Sequence, residues 1–214
     1  LVGLKPSLGA VSTRGVLPAC RTLDCVSVFA RTPDDAWRTY EVLRGFDAGD
    51  AYSRPVAVDA PATAPVVKAI GLPGGKDRLF FGDTLMAEAF DQALGVLSPL
   101  VDTSIEVDLA PFLAVARLLY EGPWVAERHA AMRAFLATNA EDVHPVTRQI
   151  VGAAERFSAT DAFEALYRLA DLRRATEAVW TRIDALIVPT APIFPTLAEL
   201  AADPIGPNSR LGTY

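Results

Sequence analysis

Two side chains in the middle of the chain are candidates for binding a small anion. The first, Arg128, falls within an apolar stripe on a helix that we expect to begin near Trp124; the stripe is completed by Val125, Met132 and Phe135. A guanidinium among hydrocarbon needs a carboxylate, a row of carbonyls or a bound anion, because an unpaired buried charge is costly. The residue types alone favour a structural pairing slightly over an anionic ligand.

The second candidate, Tyr120, lies at the end of the preceding predicted helix, one turn after Ala116. The corner at residues 121–123 (EGP) leads directly into the Arg128 helix, so we expect both side chains to converge on one pocket. A guanidinium binds both oxygens of a carboxylate and a phenol adds a third donor, which makes the pair suitable for a small carboxylate. Without further information, a half-buried core tyrosine is the more common role.

The chain shows no catalytic set of its own. His129 lies beside Arg128 and His144 precedes a proline, but neither has a nearby Ser or Cys partner, and no Gly-x-Ser-x-Gly elbow is present. A structural or solvated role is therefore favoured for both histidines. The spacing of Cys20 and Cys25 fits neither a redox pair nor a zinc site. We expect no metal, no cofactor and a reduced, cytoplasmic compartment.

Composition excludes several classes of partner. The 214 residues carry 20 basic and 26 acidic side chains, a formal net charge of −6, so no basic surface for nucleic acid or an anionic membrane is expected. No window approaches the roughly 18 uninterrupted apolar residues of a membrane span. With 51% hydrophobic and 21% charged residues, the chain has the balance of a soluble globular protein with one domain or most of one.

The elements that must position these residues alternate between strand and helix. Turns and short strands are expected over residues 3–21, and Thr32-Pro33 predicts the start of a helix whose inner side carries Ala36, Trp37, Tyr40, Val42 and Leu43. An apolar run predicts a buried strand at 66–72, alternation predicts a second at 101–109, and residues 185–188 are a candidate last strand. Apolar residues at three- and four-residue steps predict a helix over 85–97, and the chain is mainly helical up to residue 183, with breaks near 122, 144 and 159. This alternation predicts an α/β fold in which helices cover a sheet.

Several motifs resemble a known family, the amidase signature family. Residues 3–9 (GLKPSLG), 22–24 (TLD) and 31–36 (RTPDDA) match that family, in order and spacing, just downstream of its serine-rich motif. Residues 119–128 (LYEGPWVAER), 189–192 (PTAP) and 207–214 (PNSRLGTY) look specifically like the allophanate hydrolases within it. The resemblance therefore spans essentially the whole chain.

The resemblance implies a mixed β-sheet wrapped by α-helices and an amide hydrolysis performed by a Ser, a cis-Ser and a Lys. Tyr120 and Arg128 match the family positions that hold the substrate carboxylate, which makes substrate binding the favoured role of both. The family's Lys and two serines precede Gly3, so they have no counterpart here, and Ser7 and Ser12 do not replace them. We expect residues 1–214 to be the C-terminal portion of one amidase domain, without its catalytic segment or a further C-terminal domain, and inactive by itself.

The implied function is hydrolysis of allophanate to ammonia and carbon dioxide in urea or triazine nitrogen metabolism. The expected partner is a small anionic amide, with malonate as an analogue; nucleic acid and membrane are not expected, and a homodimer stays open. Two alternatives remain: another amidase or the A-type subunit of an amidotransferase, and a non-catalytic scaffold module that has kept an amidase-like surface.

Overall fold

A computed structural model describes residues 1–56 and 66–214 of the chain. These residues fall into two compact units. The first contains residues 1–56 and 126–140, and the second contains residues 66–125 and 141–214.

Strands and helices alternate in the first half of the described residues, and the second half is mainly helical, as predicted. The strands are β1 (Val2–Leu4), β2 (Val28–Ala30), β3 (Ala69–Pro73), β4 (Thr103–Val107) and β5 (Ala185–Leu186). The α-helices are α1 (Pro33–Leu43), α2 (Thr84–Leu97), α3 (Ala110–Glu121), α4 (Val125–Asn139), α5 (Pro145–Gly152), α6 (Ala159–Trp180), α7 (Leu197–Ala202) and α8 (Gly206–Leu211).

The first unit contains a two-stranded sheet together with α1 and most of α4. Strands β1 and β2 are antiparallel, with Gly3 opposite Phe29. Helix α1 begins where the sequence predicted, because the Thr32 side chain accepts a hydrogen bond from the Asp35 amide at 3.1 Å. Pro33 occupies the first helical position, where its missing N–H removes no intrahelical hydrogen bond.

The core of the first unit is small. It is formed by Ala10, Val11 and Tyr40. The inner side predicted for α1 is confirmed for Ala36 and Tyr40, which are buried, but it is wrong for Val42, which is 84% exposed. The reason is helical geometry: Val42 lies about 200° around the helix from Tyr40, at 100° per residue, and therefore faces away from the core.

The second unit is built on a three-stranded parallel sheet in the order β4-β3-β5. Helix α2 lies between β3 and β4 in the chain, which gives the strand–helix–strand unit that parallel pairing requires. Asp184 extends the pairing of β5 with β3, since its carboxylate accepts hydrogen bonds from the amides of Lys68 at 2.8 Å and Ala69 at 2.9 Å. The predicted α/β class is confirmed.

The core of the second unit lies between this sheet and the helices. Val107, Leu109 and Ile183 are buried there, with Phe112 of α3 and Val179 of α6 among the partly buried residues packed against them. A buried carboxylate stands at its edge: Asp77 accepts a hydrogen bond from the Leu109 amide at 3.0 Å, just before α3. This contact ties the segment after β3 to the start of the helix that carries Tyr120.

The predicted helix boundaries in the second half of the chain are confirmed. Helix α3 ends at Glu121, immediately before Gly122. His144 precedes α5, and its Nδ1 accepts a hydrogen bond from the Val146 amide at 3.3 Å, which gives this histidine a capping role. Ser158 and Asp161 form a reciprocal capping box at the start of α6.

Candidate substrate-binding site

Arg128 lies near the start of α4 and faces the segment at residues 18–24, called here the 18–24 loop. Its Nε donates a hydrogen bond to the Ala19 carbonyl at a long 3.4 Å. Among the described residues, no carboxylate forms an ion pair with the guanidinium and no acceptor contacts its two terminal nitrogens. The sequence left open whether Arg128 pairs with a structural carboxylate, and the described part of the chain contains no such pair.

The apolar stripe around Arg128 is less buried than its pattern predicted. Within α4 no residue is buried, and Phe135 is 50% exposed. At the start of this helix the 18–24 loop meets it through polar groups: the Ala19 carbonyl and the amide and hydroxyl of Thr22. Arg128 is half-buried.

Glu127, the residue before Arg128, attaches the 18–24 loop to α4. Its carboxylate accepts hydrogen bonds from the amide of Thr22 at 2.8 Å and from the hydroxyl of the same residue. Asp24 closes the loop on itself by accepting from the amides of Ala19 and Cys20 at 3.1 and 3.0 Å. The loop is thus fixed mainly by two carboxylates, and Arg128 adds only the long contact from Nε to the Ala19 carbonyl.

Cys20 lies at the centre of this arrangement, and its thiol is only 7% exposed. Burial raises the pKa of the Cys20 thiol to about 11, and the charges of Glu127 and Asp24 act in the same direction while Arg128 opposes them. The reactive form of cysteine is the thiolate, so a thiol with this pKa stays inert near neutral pH. Cys20 therefore packs beside the candidate site without supplying a nucleophile.

Ser12, near the start of the chain, belongs to a polar cluster of the first unit. The Ser12 hydroxyl donates to the carboxylates of Asp47 at 2.9 Å and Asp50 at 3.1 Å, and so joins two loops. Hydrogen bonds from the amides of Tyr52 and Thr13 lower the pKa of Asp50, which keeps that carboxylate ionised. The role of Ser12 is to hold this polar cluster together.

Tyr120 lies in the last turn of α3 and is 63% exposed, which argues against a core role. Its hydroxyl makes no hydrogen bond to any residue of the described part of the chain. The ring lines a cavity of about 310 Å³ whose apolar wall is formed by Leu79, Phe81 and Leu113. The rest of the lining includes the charged residues Arg117 and Glu121 and the hydroxyl residues Ser209 and Thr213. A cavity with an apolar wall and a few polar groups is typical of a small-molecule site.

Sequence reasoning missed two further residues of this cavity. Arg117 lies one turn before Tyr120 on α3 and lines the same cavity, so helical periodicity could have found it. Gly212 approaches the Tyr120 ring so closely that a Cβ on it would lie 2.8 Å from Tyr120 Cζ. No sequence signal connects Gly212 with Tyr120, because their contact joins the ends of two separate helices.

The two predicted site residues belong to different units: Tyr120 to the second and Arg128 to the first. Each is available for a ligand within its own unit, whereas their convergence on one pocket stays a prediction. His129 is half-buried on α4, and His144 caps α5.

The described residues contain no group of three or more His, Cys, Asp or Glu side chains that could hold a metal ion. Over the same residues, no helix is both long and apolar enough to cross a bilayer.

Comparison with known proteins identifies the class of protein that this fold represents. The family model for amidases matches residues 1–210, so the chain belongs to the amidase family. Within that family it is similar to the urea amidolyase of Lachancea kluyveri, with 38% identity over 217 aligned residues that include all of this chain. The chain spans only 12% of the length of that relative.

Solved structures show the same similarity. The crystal structure of the K. lactis urea amidolyase superposes with a TM-score of 0.93 at 39% identity, covering 99% of this chain and 13% of that one. The Kluyveromyces lactis allophanate hydrolase superposes with a TM-score of 0.92 at 39% identity, covering 99% of this chain and 35% of that one. The predicted membership of the amidase signature family and the resemblance to allophanate hydrolase are confirmed, and the similarity to urea amidolyase is an addition to them.

Proposed function

We propose that the full-length protein containing this chain is an amide hydrolase that acts on allophanate. In this proposal residues 1–214 form the C-terminal portion of its amidase domain and supply the groups that bind the substrate's carboxylate. The similarity of the whole chain to urea amidolyase and allophanate hydrolase supports the reaction class. The roles of individual residues rest on the matching motif positions and on the surroundings of each side chain.

The observation that carries the proposal is the availability of two donors at the matching positions. The terminal nitrogens of Arg128 and the hydroxyl of Tyr120 have no partner among the described residues. A guanidinium forms two parallel hydrogen bonds to a carboxylate, and such charge-assisted bonds are about twice as strong as neutral ones. Because the chain carries a net charge of −6, an anion has to be recognised by such local donors and not by the overall field.

A bound carboxylate would place the terminal amide of allophanate for attack. The resemblance implies that a serine of the full-length protein attacks the amide carbonyl. The C–N bond then breaks, which releases ammonia and leaves an acyl-enzyme, and water hydrolyses that acyl-enzyme. Tyr120 and Arg128 contribute orientation, which lowers the barrier by holding the reacting carbonyl near its nucleophile.

The test is ammonia release from allophanate by the full-length protein and by its Tyr120→Phe variant. We expect the wild type to hydrolyse allophanate and the variant to show a KM raised about 10- to 100-fold, because one hydrogen bond to a charged group is worth about 1.5–3 kcal/mol and 1.4 kcal/mol is tenfold. Tyr167→Phe is the matched control, since Tyr167 is 66% exposed and should leave KM unchanged.

Other outcomes would favour the alternatives. Turnover of neutral aliphatic amides without turnover of allophanate would indicate a different amidase. Absence of turnover on any amide by the full-length protein would indicate a non-catalytic module. An unchanged KM for Tyr120→Phe in an active allophanate hydrolase would remove Tyr120 from the site while leaving the reaction class in place.

A further inference from the structure

The contact between Gly212 and the Tyr120 ring is closer than a side chain at residue 212 would permit. A Cβ on Gly212 would lie 2.8 Å from Tyr120 Cζ, 2.9 Å from Cε2 and 3.0 Å from the hydroxyl oxygen. Carbon atoms that are not bonded have their energy minimum at about 3.5–4.0 Å, so an added methyl group would displace the phenol. The absence of a side chain at residue 212 is what leaves room for the ring in its observed position.

The backbone of Gly212 does not itself require glycine. Its φ of −86° and ψ of 19° are accessible to every amino acid. Gly9, Gly15 and Gly82 differ, because their φ values of 76°, 85° and 88° place them in the left-handed region. Glycine at residue 212 is therefore explained by the ring that it faces and not by the turn that it makes.

The segment around Gly212 has a locally capped helix before it and an anchored residue, Tyr214, after it. On one side, the carboxylate of Asp203 accepts hydrogen bonds from the amides of Ile205 and Gly206 at the start of α8. On the other side, the Tyr214 hydroxyl accepts from the Leu79 amide at 2.6 Å and donates to the Asp77 carbonyl at 2.8 Å. The exposed Tyr120 ring has no hydrogen bond of its own among the described residues, so it is the partner that would move.

We propose that Gly212 is a positioning residue that sets the place of the Tyr120 hydroxyl and thereby the recognition of the substrate's carboxylate. This inference rests on the proposed function, in which that hydroxyl donates to allophanate. It adds a determinant immediately after α8 to the two residues already proposed, Tyr120 and Arg128. Gly212 acts through Tyr120 and makes no contact of its own with the substrate.

The test measures allophanate hydrolysis by the full-length protein with Gly212→Ala, Tyr120→Ala and the two changes combined. We expect Gly212→Ala to raise KM about 10-fold with a nearly unchanged melting temperature, because the displaced ring loses its hydrogen bond to the substrate. In the Tyr120→Ala background the same change should raise KM no further, since the ring that it displaces is gone.

Gly95→Ala is the matched control, because a Cβ at that position of α2 meets nothing within 4 Å. It should leave KM unchanged in both backgrounds. Equal increases in KM from Gly212→Ala with and without Tyr120 would overturn the inference. A Gly212→Ala protein that folds only when Tyr120 is also Ala would support the contact, whereas unfolding in both backgrounds would overturn it.

The two proposals fail in different ways. If the wild type does not hydrolyse allophanate, the proposed function and this inference are both wrong. If the wild type is active and Tyr120→Phe raises KM while Gly212→Ala does not, only the role of Gly212 is wrong.

Discussion

The surroundings of Arg128 in the first unit differ in kind from those of Tyr120 in the second. Around Arg128 the positions of the loop and helix are set by hydrogen bonds: Glu127 binds Thr22, Asp24 binds two amides of its own loop, and Arg128 contacts a carbonyl. Around Tyr120 they are set by shape, through the close approach of Gly212 and an apolar cavity wall.

This difference shows how two kinds of donor can be oriented. A guanidinium carries several N–H groups, so one can be used for positioning while others remain for a ligand. A phenol has a single hydroxyl hydrogen, and if a protein group accepted it, no donor would remain for the ligand. The ring of Tyr120 must therefore be positioned by packing. Substitutions that change charge should accordingly disturb the surroundings of Arg128, and substitutions that change side-chain volume should disturb those of Tyr120.

The largest effect should come from Arg128→Lys, which keeps the charge and removes the planar fork. We expect a KM for allophanate raised about 10- to 100-fold, since hydrogen bonds to charged groups are worth about 1.5–3 kcal/mol. The melting temperature should change little, because the protein itself uses only one long contact from Nε to Ala19. Steady-state kinetics and thermal unfolding of the full-length protein check both parts.

Arg133→Lys is the matched control for this prediction, since Arg133 is an exposed residue of the same helix. It should change neither KM nor melting temperature. If Arg128→Lys lowers the melting temperature by several degrees and leaves KM unchanged, Arg128 has a structural role and the contrast between the two units is lost.

An effect of intermediate size should come from adding one methyl group to the core of the second unit. At Gly71 a Cβ would lie 2.7 Å from Ile183 Cδ1, 2.9 Å from Val107 Cγ2 and 3.1 Å from Leu186 Cδ1. Overpacking of this kind costs about 1–3 kcal/mol, so Gly71→Ala should lower the melting temperature measurably. The measurement is thermal unfolding of the full-length protein.

The same addition at Gly49 in the first unit provides the comparison. There a Cβ would lie 2.9 Å from a terminal nitrogen of Arg14, whose side chain is 69% exposed and can rotate away. Gly49→Ala should therefore leave the melting temperature nearly unchanged. If Gly49→Ala and Gly71→Ala lowered the melting temperature equally, added side-chain volume would destabilise both units to the same extent.

The smallest expected effect is electrostatic and belongs to the first unit. The negative charge of Glu127 disfavours the thiolate of Cys20, so Glu127→Gln should lower the pKa of that thiol from its value of about 11. The pKa should remain above 9.0, because burial is the main cause of the shift and is retained. Titration of thiolate absorbance in a Cys25→Ser background measures it.

Glu41→Gln serves as the control, because Glu41 is an exposed acid of α1 in the same unit. Its removal should leave the Cys20 titration where it was. A Cys20 pKa that does not change with Glu127→Gln would mean that the carboxylate and thiol do not interact in solution. The polar description of the Arg128 surroundings would then need revision.

Much of the local structure could be predicted from the sequence because its causes are local. Thr32 and Pro33 specify the start of α1 through a side-chain cap and a fixed φ, and these need no other part of the chain. The run that became β3 was identifiable because a buried parallel strand is apolar on both faces, whereas β4 was identifiable from alternation, since most of its residues are polar and exposed. Tyr120 and Arg128 were identified by the motif around them.

The sequence could not determine the features that depend on contacts between distant segments of the chain. The stripe of Arg128 has the spacing of a buried helix face, yet no residue of α4 is buried, and the 18–24 loop meets the start of this helix through polar groups. The closeness of Gly212 to Tyr120 arises only when α8 is placed beside the end of α3.

By itself, then, the sequence determined the α/β class, the helix starts and the identity of two candidate donors, because capping, periodicity and motif spacing act over a few residues. Only the tertiary structure decided which donors remain unused and which side chains limit them. Hydrogen bonding is exclusive, so whether Arg128 or Tyr120 is available depends on every group that the fold brings near it.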